Sequence, residues 1–251
     1  MEELKKEIKI FRATEKVYHY TFFETACKII SSNRLRFGSA IKTNDINEVY
    51  RRICIPVDST LSGEEVQKEL SKYRQLCFSK DNSPRCGYNI PVMWGHYANV
   101  GNGICLVFDK SKIKRQLKPE MVAKDVTYVE DFSECVLVKG DVQDFIDKKK
   151  ESIFFTKTKD WSYEQEWRIL VRADSETLYL PLEDSLIAII MDVSPDIDSN
   201  DCVFNSENAK MLKKLAPRIS MLRYGLWCGS PTISDEAGEE WSEQEKWEVD
   251  V

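Results

Sequence analysis

The chain is poor in histidine, the residue most often used in metal and acid–base sites. It has two histidines, His19 and His96, far apart in sequence. Its eight cysteines, at 27, 54, 77, 86, 105, 135, 202 and 228, never come closer than nine residues, so there is no CxxC pair. That spacing speaks against a structural zinc site, and no metal is expected. Several cysteines sit in apolar runs, as in Leu76-Cys77-Phe78 and Ile104-Cys105-Leu106, and read as reduced core residues. No apolar run is long enough to cross a bilayer. The opening Met1-Glu2-Glu3-Leu4-Lys5-Lys6 has no apolar signal core, so a cytoplasmic protein without a membrane partner is expected. A glycine-rich phosphate loop is missing too. Gly101-Asn102-Gly103 leads into an apolar strand pattern and reads as a tight turn, whereas phosphate loops lead into a helix.

A basic excess is also absent. The net charge is −6, but it is unevenly spread: Ser234 to Val251 hold eight acids and one lysine. The rest of the chain has 35 lysines and arginines against 34 acids. A near-neutral body argues against a coat that binds nucleic acid whatever its sequence, and leaves room only for a local basic patch. The acidic tail, residues 234–251, carries Trp241 and Trp247. It reads either as a flexible solvated end or as a docking segment whose tryptophans anchor to a partner or to the chain's own cleft.

What is present is ordinary globular material: 251 residues, 42% hydrophobic and 31% charged. One catalytic-type domain over residues 1–233 is expected ahead of the tail. Strands are expected at 16–21, 35–37, 75–79, 103–108, 123–129, 165–172, 177–181, 186–192 and 219–223. Helices are expected at 22–32, from Ser62 to about Tyr73, from Pro91 through Tyr97, at 141–155 and at 203–215. Thr21 with Glu24 and Ser62 with Glu65 have the spacing of capping boxes. The mixture is α+β.

Two short motifs stand out. Val17-Tyr18-His19-Tyr20-Thr21 carries a histidine and a threonine two residues apart on a strand pattern. Tyr163-Glu164-Gln165-Glu166-Trp167-Arg168 opens another strand pattern, whose alternation would put Glu164, Glu166 and Arg168 on one face. Neighbouring carboxylates repel unless something cationic or protonated lies between them, which suits a cleft better than a core. Each motif also has a plain structural reading. The glutamates could form a solvated strand edge paired with Arg168, and His19 could be a satisfied core histidine. Met93-Trp94-Gly95-His96-Tyr97 gathers aromatics on one helix. Trp94 reads as core there, with Tyr97 and His96 free to stack on a ring.

Taken together, the motifs resemble ADP-ribosyltransferases of the histidine-first type, with Tyr18-His19-Tyr20-Thr21 as the opening strand and Glu164-Gln165-Glu166 as the closing Glu-x-Glu. The pattern from Tyr18-His19-Tyr20-Thr21 through Thr43-Asn44-Asp45 with Glu48, Cys77-Phe78-Ser79, Met93 to Ala98, Gly103 to Phe108 and Tyr163 to Arg168 resembles the bacterial family DUF2971. The resemblance implies a split mixed β-sheet with flanking helices and NAD as substrate. His19 would then hydrogen-bond the adenosine-side ribose, with Thr21 beside it, and the Tyr20 backbone would recognise the nicotinamide amide. Ser79 or Tyr97 would fill the middle position, and Arg168 would join the dinucleotide contacts. Glu166 would bind the 2′-hydroxyl of the nicotinamide ribose, and Glu164 would orient or deprotonate the acceptor. That acceptor would be a protein, a nucleic acid or water. The Glu-x-Glu form usually accompanies an arginine in the first strand, where this chain has His19.

Overall fold

The computed structural model describes residues 2–45, 48–49, 53–56, 61–132, 136–138, 140–192, 206–227 and 230–241. In chain order these form α1 (Glu2–Ala13), β1 (Lys16–Thr21), α2 (Phe23–Ser32), β2 (Arg34–Arg36), β3 (Gly38–Ser39), β4 (Ile53–Cys54), α3 (Gly63–Leu70) and β5 (Tyr73–Lys80). Next come α4 (Pro91–Tyr97), β6 (Ile104–Asp109), α5 (Lys110–Arg115), β7 (Val122–Asp125), β8 (Thr127–Val129), β9 (Val136–Leu137) and α6 (Val142–Phe154). Then β10 (Thr156–Thr158), a 3-10 turn (Lys159–Glu164), β11 (Glu166–Arg172), β12 (Tyr179–Pro181), β13 (Leu186–Asp192), α7 (Glu207–Leu215), β14 (Ser220–Trp227) and β15 (Ser230–Ser234) complete the order. The fold is α+β with mixed strand directions, as expected. No helix among the described residues is long and apolar enough to cross a membrane.

Helix ends follow local chemistry. Ser62 and Glu65 form the expected reciprocal capping box at α3. Asp141 and Ser206 cap α6 and α7, and Pro91 opens α4. The expected box at Thr21 and Glu24 is absent. Phe22 occupies the N-cap of α2 without a side-chain bond, because buried Thr21 belongs to β1, opposite Ile104. Among the described residues, Cys27, Cys54, Cys77, Cys86 and Cys105 are not in disulfides. Cys135, Cys202, Cys228 and Trp247 lie outside them.

The chain groups into two compact units. The first comprises residues 1–33, 79–115 and 182–251. Its strands run in the order β15-β14-β13-β6-β1, with the last two residues of β5 paired to β1. β13 and β14 are parallel, and the remaining neighbours are antiparallel. Every residue from Ile104 to Phe108 is buried, which accounts for the unbroken apolar run of β6. Residues 234–241, the start of the acidic tail, are folded here. Trp241 is 2% exposed, meets the Phe11 ring edge-on at 5.3 Å and donates its indole N–H to Asp235 at 3.0 Å. An indole this large is more favourably placed on α1 than in water, which overrides the acidic composition around it.

The second unit comprises residues 34–78 and 116–181. Here β5, β11 and β7 lie in order, with β3 also on β5. Smaller pairs are β2 with β12, β4 with β9 and β8 with β10. A core of Val66, Leu70, Tyr73, Phe145, Ile146 and Phe154 packs α3 and α6 against Leu170 of β11.

Gly103 is required by close packing in the first unit. A Cβ there would fall 2.5 Å from the Thr21 carbonyl oxygen and 2.6 Å from the Ala98 Cα, both backbone atoms. Gly103→Ala therefore destabilises by about 2 kcal/mol, read from urea unfolding, since backbone must move to admit the methyl. An unchanged midpoint would mean that the turn yields freely.

Candidate active site

The expected site residues divide between the units. Glu164, Glu166 and Arg168 lie in the second, whereas His19, Tyr20, Thr21, Ser79 and Tyr97 lie in the first.

In the second unit the acidic motif is built around two cations. Glu166 and Arg168 share a face of β11, as alternation predicts, and form a two-pronged pair: Nε donates to Oε1 at 2.7 Å and Nη2 to Oε2 at 2.9 Å. Arg168 Nη1 donates to Glu48 Oε1 and to the Phe154 carbonyl oxygen. Glu164 departs from expectation. It ends the 3-10 turn rather than standing on the strand, because Gln165 takes a left-handed conformation (φ 47°, ψ 48°) that breaks the extended chain. Lys157 restores the proximity of the carboxylates. Its Nζ lies 2.6 Å from Glu164, 3.0 Å from Glu166 and 3.8 Å from Glu48.

Lys157 comes from β10, which pairs in parallel with β8 and places it opposite Tyr128. Of Thr156-Lys157-Thr158, only the lysine is buried, the alternation of a short strand with one face inward. Tyr128 accepts the Glu166 backbone N–H through its hydroxyl at 2.9 Å. The ammonium also lies 5.4 Å from the centre of the Trp161 ring. Nothing in the sequence pattern singled out Lys157. Its only signal is a lone lysine between threonines, seven residues before Glu164. Glu48 was visible only as part of the family pattern.

The network is buried, with Glu166 at 3%, Glu164 at 4% and Arg168 at 0% exposure, so the solvated-edge reading does not describe it. Burial pushes the Glu166 carboxyl up. The charges of Arg168 and Lys157, with hydrogen bonds from Arg168 and the Cys77 thiol, outweigh that and hold it well below the usual carboxylate range. Burial likewise lowers Lys157, but Glu166, Glu48 and Glu164 together raise it above an ordinary lysine. Arg168 is raised in the same way, chiefly by Glu166 against its own desolvation. By formal charge, three carboxylates face two cations, and one negative charge is left over.

In the first unit β1 pairs with β6 along its whole length, but with β5 only at Val17↔Lys80 and Tyr18↔Ser79. Tyr18 and Tyr20 occupy one face in an aromatic layer. Tyr20 meets Trp94 edge-on at 5.1 Å and donates its hydroxyl to the Gly87 carbonyl oxygen at 2.6 Å. Trp94 is core, as expected, stacked on Tyr224 at 5.5 Å. His19, partly exposed, and Thr21 share the opposite face of the strand. Ser79, directly across from Tyr18, falls on the tyrosine face, where its buried Oγ has no hydrogen-bond partner. Cross-strand partners point the same way, so Ser79 does not join His19 and Thr21. Tyr97 closes α4 partly buried, its ring 6.1 Å from that of His96. A separate hollow of about 260 Å³ in this unit is lined by Leu4, Glu7, Lys213, Met221, Glu236 and Trp241 among others, and by none of the expected site residues.

Removing one partner from a buried ion network leaves the other charge bare. Arg168→Met is expected to cost about 3–5 kcal/mol of stability by urea unfolding. The Glu166 contribution, measured as wild type against Glu166→Gln, is full above the ordinary carboxylate pKa and declines as pH falls below it, because its folded pKa is depressed. A difference that instead grew on acidification would mean that Glu166 is held neutral.

Residues 93–169, a span that holds Tyr97, Lys157, Glu164, Glu166 and Arg168, match the family described as "Protein of unknown function (DUF2971)". No curated protein matches the chain. Among solved structures, the chain is similar to DarT of Thermus sp. 2.9 in complex with carba-NAD+. The identity is 14%, covering 84% of this chain and 94% of that one, with a TM-score of 0.36. The same protein in complex with NAD+ is 13% identical, covering 82% and 92%, with a TM-score of 0.34. Over residues 93–169 the chain is thus similar to the family that its sequence pattern resembles.

Proposed function

We propose that the chain is an ADP-ribosyltransferase-like enzyme that cleaves the nicotinamide–ribose bond of NAD and passes ADP-ribose to a macromolecular acceptor or to water. The observation that carries this is the Glu166 carboxylate: buried, fixed by Arg168 and Lys157, and held ionised within reach of a lysine shared with Glu164. Loss of nicotinamide builds positive charge on the ribose. A preorganised carboxylate at the 2′-hydroxyl stabilises that charge as it forms. Glu164 then orients or deprotonates the incoming acceptor. His19 and Thr21, together on one face of β1, hold the adenosine-side ribose, and the Tyr20 backbone holds the nicotinamide amide. Nicotinamide is already a good leaving group, so no strong general acid is required. A toxin or antiviral effector role accords with such chemistry.

A second reading has its own support. Glu166 accepts from Arg168 through both oxygens, the arrangement of a structural ion network, and on this reading the same fold binds a nucleotide or a partner without turnover. Labelled NAD incubated with wild type and Glu166→Gln in cell lysate separates the two. Gln keeps the shape and one acceptor for Arg168, so the variant stays folded by circular dichroism. Label transfer or nicotinamide release is expected to fall by about 100-fold or more. Turnover at the wild-type rate in Glu166→Gln would remove Glu166 from the chemistry, and its absence in both would favour the binding module.

A further inference from the structure

Lys157 holds a position that neither motif accounts for. It is the one described lysine whose Nζ reaches three carboxylates, and it does so from a strand that contributes no other buried residue. Arg168 is committed to Glu166, Glu48 and the Phe154 carbonyl oxygen. Lys157 links the carboxylate of the turn to that of the strand. Gln165, left-handed between them, gives the backbone a bend in place of the regular alternation that would fix their separation.

We propose that Lys157 is the positioning residue of this site: its ammonium, shared by Glu164, Glu166 and Glu48, sets the spacing of the two motif carboxylates and balances their charge. The proposal rests on reading the site as an NAD-cleaving centre and supplies what that reading lacks, a reason why Glu164 and Glu166 stand together although only one is on the strand. The titratable and charged groups around Lys157 come from every element packed on it. They are Glu48 from the segment before β4, Cys77 from β5, Tyr128 from β8, Tyr163 and Glu164 from the 3-10 turn, and Glu166 and Arg168 from β11. Among the described residues in that company, Lys157 and Arg168 are the cations. Without the lysine, Glu166 faces Glu164 and Glu48 with Arg168 alone to offset them, and its carboxyl becomes easier to protonate.

The test follows the Glu166 carboxyl carbon by NMR in glutamate-labelled protein, a readout that needs no turnover, alongside the pH profile of NAD cleavage. In Lys157→Met the Glu166 midpoint is expected to rise by about one pH unit or more. In Lys157→Met/Glu164→Gln, where one negative charge has left with the positive one, it returns toward the wild-type value. The acid limb of NAD cleavage moves in the same order. If Lys157→Met does not fold, the double variant is compared with Glu164→Gln alone, and the expected midpoint is higher in the double variant. A Glu166 midpoint that stays in place when Lys157 is removed overturns the assignment, and so does a loss of turnover equal at every pH. Wild type that cleaves no NAD while the midpoints shift as expected would sink the enzymatic reading and leave the charge-setting role of Lys157 intact.

Discussion

The two-pronged pairing of Arg168 with Glu166 is the interaction on which the second unit depends. A guanidinium at 0% exposure is tolerable only when its donors are answered, and this one bonds two glutamates and a carbonyl oxygen. That requirement brings Glu48 in from the segment before β4 and the Phe154 carbonyl oxygen from the end of α6. Lys157 then enters because two cations are needed where three carboxylates converge. Such a network is poor evidence for net stability, since an apolar substitute of equal volume can do as well. Its distinguishing product is an ionised carboxylate fixed away from water.

Two left-handed residues flank the network. Gln165 stands between the glutamates, and Val49, with φ 56° and 1% exposure, directly follows Glu48. A β-branched residue in that region costs about 1–3 kcal/mol, which the surrounding structure must offset. Both strained positions sit beside a carboxylate that meets Lys157. Local backbone preference thus gives way where side-chain charge has to be delivered.

Much of the fold was legible because burial leaves a periodic trace. The run Ile104 to Phe108, the Ser62 and Glu65 box and the β13 limits at 186 and 192 all follow from local pattern. The failures have equally local causes. Thr21 has the composition of a cap, but the strand ladder claimed it. α1 was not anticipated, although Leu4, Ile8 and Phe11 stand at helical spacing, and its seat includes Trp241, far along the chain. In the site, alternation correctly paired Glu166 with Arg168 and wrongly extended the strand to Glu164, since no residue type announces a left-handed glutamine. Ser79 was assigned by analogy, and the register places it across from Tyr18. Lys157 was invisible because a single lysine between threonines carries no pattern until its neighbours are folded.

The network is also uneven in chain separation. Glu166 with Arg168 and Lys157 with Glu164 span two and seven residues, whereas Glu48 and Arg168 are 120 apart. Closing the longer loop costs about 2.5 kcal/mol more chain entropy than closing the seven-residue one. Short-range pairs also form sooner than distant ones. The order of assembly this implies has the local cluster in place first and the Glu48 contact sealing it. Until that last closure Arg168 keeps its pair with Glu166 while Nη1 lacks its distant carboxylate, and a chain halted there would carry an unanswered donor in a half-built core.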